Sequence, residues 1–372
     1  MKKNRLINYK EIDYILVVIT TICVVFGLFA IHSAVKAMDN GSTYVIIQLC
    51  AAAIGAVGAL IITAINYEYF KNLTKPIYIL CVIMLLAVLV IGTGREDTGS
   101  RSWIRFGPIG IQPSEFVKIG FIITFSKTVA ELGDKLNKPK NILKLLIHAG
   151  VFMFLIMLQP DFGTTMVFIM IFAGILFAAK ISWKYILGTG VLVAGAIPLI
   201  WNFFLADYQK NRIRVLFDPE SDPLGAGYHV MQSKTTIGSG GIIGAGIGRG
   251  TQTQFGYLPA KHTDFIYSVI GEELGFIGCI VVAVLLFALV LRCLYIAKNA
   301  KSNFGSYICV GVACMFLAHT FENIGMCVGL MPVTGIPLPF FSYGGSSILT
   351  NMMAIGLMLS VRTRQKEIRF EE

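Results

Sequence analysis

Two ionisable residues of opposite sign stand three positions apart in the string GSRSWIRFGPIGIQPSEFVK at 99–118. At that spacing Glu115 and Lys118 share one face of a helix and can pair. Pro113 and Ser114 carry the signature of a helix start, and Glu115 in the first turn complements the helix dipole. Lys118 does not, because a cation near a helix N-terminus is unfavourable. A lysine kept there has one of two jobs. It braces helices through the ion pair, or it faces an anionic substrate.

Four further polar clusters interrupt apolar surroundings, where ionisable groups are costly and point to function. Gln159-Pro160-Asp161-Phe162-Gly163 breaks a long apolar stretch, so Asp161 is either a plain external turn residue or part of a site lining. In HTDFIYSVIGEELGFIG at 262–278, a helix starting near Asp264 would place Asp264, Ser268 and Glu272 on one face. Asp264 could serve simply as that helix's N-cap. His319, Glu322 and Asn323 also share a helix face. A His-x-x-Glu pair can ligate metal, but no second such motif accompanies it, which favours an interhelical hydrogen-bond network. Finally, MPVTGIPLPFFSYGGSS at 331–347 has prolines and glycines that demand a fixed non-helical path. Upstream of Glu115, Arg101, Trp103 and Arg105 fall at a membrane interface, where tryptophan is ordinarily an anchor and arginine can meet a head group.

The elements that position these residues must be membrane helices. The chain of 372 residues is 55% hydrophobic and 14% charged, with a mean hydropathy of +0.73. Soluble domains carry about 25% charged residues. Apolar runs predict ten spans, at 14–34, 44–65, 77–92, 115–131, 144–158, 163–179, 186–204, 265–291, 304–331 and 347–361. The first is too long for a signal peptide's apolar region and is followed by more spans, so it reads as a retained helix. With the N-terminus inside, cytoplasmic ends and loops hold most of the 31 Lys and Arg residues. The positive-inside rule then places both termini in the cytoplasm. The expected fold is an all-α polytopic membrane protein in a single domain spanning 1–372, with one large external loop at about 205–264.

The net charge of +10 needs no nucleic acid. Basic clusters such as Lys135, Lys138, Lys140 and Lys144 flank spans, where anionic lipid is the neighbour. Seven of the eight cysteines fall within expected spans and Cys293 lies two residues past the eighth, which predicts neither disulfides nor a metal site. The glycine-dense GSGGIIGAGIGRG within the external loop has no GxGxxG register in a βαβ unit, and no GK[ST] phosphate loop appears. That segment suits a path along the membrane surface, or dipping into it while buried by protein. No nucleotide is available outside a cell, so synthesis there needs a donor that arrives activated.

These strings together resemble the SEDS family (shape, elongation, division and sporulation). GSRSWIRFGPIGIQPSEFVK, QPDFGT, DPLGAGYHVMQSK, IGSGGIIGAGIGRGTQ, HTDFIYSVIGEELGFIG and GIPLPFFSYGGSS fall in the family's order, over about residues 12–365. GTQ and TGIPLPF look more like the RodA branch than the FtsW branch. Ala260 departs from the pattern, since an acidic residue is common there. The resemblance implies a ten-helix bundle with both termini inside and a peptidoglycan glycosyltransferase that polymerises lipid II at the outer face of a bacterial cytoplasmic membrane. The family's catalytic aspartate carries over to Asp264; Glu115 and Lys118, and less firmly Asp161, carry over as cavity residues. It further implies a class B penicillin-binding protein as partner, supplying a transpeptidase. No SxxK motif followed by KTG is present here, in keeping with that division.

Lipid II brings its own pyrophosphate leaving group, so the reaction needs a base and cations. Asp264 is the expected base, with Glu115 second. Lys118, Arg101 and Arg212 are candidates for the pyrophosphate and Trp103 for the head group. No metal or cofactor is required, although a divalent cation bridging carboxylate and pyrophosphate is compatible with the sequence. A lipid II flippase, a scaffold, and a division or sporulation paralogue of the same activity are the competing readings. The polar groups gather at the outer edge rather than the midplane, and no inverted repeat is evident, which disfavours transport.

Overall fold

A bilayer offers backbone N–H and C=O groups no water, so the apolar runs satisfy those groups internally as helices. The computed structural model describes residues 12–94, 100–106, 109–189, 195, 202 and 207–365. Within them lie α1 (Tyr14–Val35), α2 (Gly41–Ala64), α3 (Thr74–Ile91), α4 (Pro113–Leu132), α5 (Pro139–Met157) and α6 (Phe162–Ala178). After these come α7 (Asp207–Phe217), α8 (Ala226–Ser239), α9 (Thr251–Gln254), α10 (Ile266–Lys298), α11 (Asn303–Cys327) and α12 (Gly345–Arg362). Every expected span except the seventh has its helix. The seventh, placed at 186–204, falls mostly outside the described residues, although 183–189 are helical.

The protein is thus an all-α polytopic membrane protein, and its helices divide by what surrounds them. Six of them, α1, α2, α3, α5, α10 and α11, are long and apolar enough to cross a membrane. α6 is apolar but only 17 residues long. α4 and α12 are 20 and 18 residues long and buried over most of their surface, α4 between α3 and α11 and α12 against α2. Helices shielded from lipid need not be uniformly apolar, and these two bury Ser114, Glu115, Lys118 and Thr124 on α4 and Ser347, Thr350 and Asn351 on α12. Large apolar side chains such as Phe29, Leu60, Val90 and Phe177 point outward instead.

Three features depart from the expectation. A small antiparallel hairpin of β1 (Ile104–Phe106) and β2 (Ile109–Ile111) precedes α4. The external segment at 205–264 is not an open loop, because it contains α7, α8 and α9. Asp222 joins the first two, accepting from Asn211 Nδ2 at 2.8 Å and from the Ala226 amide at 3.0 Å. Third, α10 is broken at Gly275, whose φ of 66° and ψ of −163° suit glycine. The glycine-rich strand fills the break. Ala245 N and Gly246 N donate to the carbonyls of Glu272 and Glu273 at 2.9 and 3.0 Å, while Phe276 N donates to Gly241 O at 2.9 Å. Ile242, Ile243 and Ile247 of that segment stay exposed while its backbone makes this contact.

The two ends of the bundle are chemically distinct. At one, buried Asp13 caps α1 and pairs with Arg292 near the end of α10 at 2.8 Å and with Arg362 at the end of α12 at 3.6 Å. The start of the first helix and the end of the last therefore share an end. Asp264 precedes α10 and stands at the other.

Candidate active site

Lys118, a turn and a half into α4, is 1% exposed. Its ammonium donates to Glu115 Oε1 at 2.7 Å and lies 2.6 Å from His319 Nε2 on α11. His319 Nδ1 faces the carbonyl of Pro337 at 3.2 Å. A carbonyl can only accept, so Nδ1 carries the proton and Nε2 accepts from Lys118. An ammonium has three protons, and these two partners take two of them. The pairing of Glu115 with Lys118 matches the helix-face argument. His319, absent from the residues singled out for the site, belongs beside them.

Around this pair polar atoms remain unmatched. Ser114 Oγ, Glu115 Oε2, both carboxylate oxygens of Glu322 and Thr334 Oγ1 are buried without a hydrogen-bond partner. Buried polar atoms are ordinarily satisfied, so their concentration around Lys118 marks this polar cluster as a candidate site. The expected α11 network is present for His319 and Asn323 but not for Glu322, whose carboxylate neighbours the Thr334 hydroxyl. Asp161 caps α6 through Thr164 N at 3.0 Å and Thr164 Oγ1 at 2.8 Å, with Gln112 Nε2 at 3.4 Å. Its carboxylate also lies within the field of Lys118 and Glu115.

Asp264 forms a second polar centre at the end of the bundle opposite Asp13. α10 begins at Ile266 with Phe265 at the cap, and no side chain bonds there. The helix-cap role is thereby removed, because the helix starts two residues beyond Asp264. Its half-buried carboxyl lies beside Thr263 and within the field of Arg212 from α7. Burial pushes it up to about 6, with Thr263 and Arg212 pulling the other way. Gly335, at φ 73°, stands so close that a Cβ there would come within 3.5 Å of Asp264 Oδ2. His229 of α8 stacks on Phe265 with ring centroids 6.0 Å apart, and burial together with Arg212 holds its imidazole below the usual range. Buried Lys261 donates to Thr253 O at 2.7 Å.

The shared face expected of Asp264, Ser268 and Glu272 resolves into separate tasks. Ser268 bonds Ser233 of α8 at 2.7 Å. Glu272 accepts from Gln252 N at 2.7 Å and Thr253 N at 3.0 Å, capping α9 from a neighbouring helix. Arg101 and Trp103 stay apart from the Lys118 centre. The Arg101 amide bonds Gln159 O at 3.2 Å while its side chain is exposed, and Trp103 packs its ring over Gly110 of the hairpin. Both are at the Asp264 end, since Gln112 N donates to Ser346 Oγ at the start of α12 and Tyr343 N to His262 O. Among the described residues no group of three His, Cys, Asp or Glu is placed to hold a metal ion.

Fold and site define a polytopic membrane protein with a carboxylate–ammonium centre built into its core and a half-buried aspartate at one end of the bundle. The chain belongs to the FtsW/RodA/SpoVE family of cell cycle proteins, whose family model matches residues 13–367. The peptidoglycan glycosyltransferase MrdB of Escherichia coli K12 is 38% identical over 315 residues, 84% of each chain. Stage V sporulation protein E of Bacillus subtilis is 36% identical over 363 residues, 94% of this chain and 96% of that one. Among solved structures, a chain of a peptidoglycan synthase complex that coordinates polymerization and crosslinking superposes with a TM-score of 0.83 at 28% identity, covering 96% of this chain and 99% of its own. The rod shape determining protein RodA of Thermus thermophilus gives 0.73 at 25% identity, covering 97% and 99%.

Proposed function

We propose that this protein is a peptidoglycan glycosyltransferase that polymerises lipid II at the outer face of the cytoplasmic membrane, in service of cell elongation. The reading is carried by the presence in one bundle of a buried ammonium at Lys118, bonded to Glu115 and His319, and of a separate carboxyl at Asp264 that no helix cap accounts for. Full-length relatives named as peptidoglycan glycosyltransferases support it. The positive-inside distribution of Lys and Arg supports the orientation, with the Asp264 end outside.

In the reaction, the acceptor hydroxyl attacks the anomeric carbon of a sugar linked through an α-phosphate. The new β-1,4 bond forms as the bond to the pyrophosphate oxygen breaks, with inversion. Asp264 receives the hydroxyl proton, and the departing pyrophosphate takes the bonding electrons. Lys118, aimed by Glu115 and His319, stabilises that charge, with Arg212 assisting near Asp264. Asp161 and Glu115 stand at the Lys118 centre, and Arg101 and Trp103 at the Asp264 end meet the head group. The chain works beside a class B penicillin-binding protein, whose transpeptidase crosslinks the strands. A divalent cation would supply further positive charge to the departing pyrophosphate, and among the described residues no group of three His, Cys, Asp or Glu would hold it.

Incubating the purified protein with lipid II and resolving the products on a gel tests the activity. Glycan strands are expected. Lipid translocation in vesicles without polymer would identify a flippase instead.

A further inference from the structure

Asn323 of α11 is fully buried, and its amide nitrogen donates twice. One proton goes to the backbone carbonyl of Asp264 at 2.8 Å and the other to the carbonyl of Ile336 at 2.8 Å. One turn away on the same helix face, His319 holds the next carbonyl along, that of Pro337. The stretch from Thr334 to Pro337 touches both centres: Gly335 is beside the Asp264 carboxyl, and Thr334 is the hydroxyl neighbour of Glu322. The Asp264 loop is also tied to the chain just beyond that stretch, because Ser342 Oγ donates to Thr263 O at 2.6 Å and Tyr343 N to His262 O at 2.8 Å.

We propose that Asn323 is a positioning residue for Asp264, and that with His319 it makes α11 a frame fixing the distance between the base and the Lys118 ammonium. The inference rests on the reading of Asp264 as base. Several features of the residue fit the task. Only an amide of this length offers two donors diverging toward two carbonyls from one Cβ; a hydroxyl offers one and a carboxylate none. Both acceptors are backbone groups flanking reactive positions, so the bonds fix chain path rather than charge. The frame is also shared: His319 touches Lys118 and Pro337, so displacement of the 334–337 segment moves base and cation relative to each other. A shift of about 1 Å between reacting groups can cost about a hundredfold in rate.

The test is a double-mutant cycle in lipid II polymerisation by the full-length protein with its transpeptidase partner. Asn323→Leu, close in volume and without donors, is expected to lower kcat by about tenfold or more while KM stays within about twofold, because ground-state binding is left intact. Its Tm and partner binding should stay near those of the parent. In an Asp264→Asn background the same substitution should cost nothing further, since it acts through a group already removed. An unchanged kcat in Asn323→Leu, or an equal loss in both backgrounds, overturns the proposal. Should Asn323→Leu fail to fold, Asn323→Ser keeps one donor and is expected to fold with the same kcat loss at unchanged KM. A loss of rate that only tracks a fallen Tm would reduce Asn323 to a brace. A normal rate in Asp264→Asn alone removes the base and the frame together, whereas a crippled Asp264→Asn with an unaffected Asn323→Leu removes only the frame.

Discussion

Asp264→Asn is expected to fold normally, bind its partner normally and make almost no glycan. Asparagine preserves the size of the side chain and its contacts beside Gly335, but it cannot take a proton from an acceptor hydroxyl. General-base catalysis is worth about two to four orders of magnitude, so a loss of at least a hundredfold is expected. The local structure isolates this effect from stability. Phe265, not Asp264, occupies the cap of α10, so helix initiation does not depend on the carboxylate. The backbone carbonyl of Asp264, which Asn323 holds, is unaffected by the change. Lipid II polymerisation by the purified variant, measured with its melting temperature, gives the answer. Near-normal polymer would transfer the role of base to Glu115.

The second large effect concerns the ion pair inside α4. Lys118→Met leaves Glu115 as an unpaired carboxylate at 2% side-chain exposure, and breaking a buried pair in this way costs about 3–5 kcal/mol. Pairing it with Glu115→Gln removes the stranded charge and should restore the Tm. If the pair were only a brace, activity would return with stability. The expectation is otherwise, because pyrophosphate leaves with a charge that methionine cannot stabilise. Removing a preorganised donor from such a site costs about 10²–10³ in rate. A double variant that melts like the parent and stays inactive is the expected outcome; one that polymerises at the parental rate would assign both residues to structure.

The separation of legible from illegible follows how local each signal is. The Glu115–Lys118 bond and the start of α4 at Pro113 were readable because an i, i+3 spacing and a proline at a helix start act within one turn. The break that holds Asp161 is equally local, but its cap on α6 is a finding of the structure and not a sequence expectation. The contact of Lys118 with His319 joins residues 201 positions apart, and no pattern in a single sequence encodes it. Glu272 and Asp264 lie on one helix repeat in the sequence, yet Glu272 is drawn to the amides of α9 and Asp264 stands outside the helix. The break in α10 was hidden within IGEELGFIG, where Gly275 continues an apolar run and only the approach of the glycine-rich strand gives it a purpose. α7 was missed for a different reason: DYQKNRIRVLF is a polar helix, and hydropathy registers only the helices that lipid requires.

The pH dependence of lipid II polymerisation, compared between the parent and Asp264→Asn, tests the central claim most directly. Burial raises the Asp264 carboxyl to about 6, so the base is ionised above that pH and is lost as the pH falls through it. The parent rate should therefore hold at neutral pH and decline on an acid limb centred near 6, with a slope of one proton. In Asp264→Asn the residual rate should show no such limb. The same acid limb persisting in Asp264→Asn would contradict the assignment of Asp264 as the base.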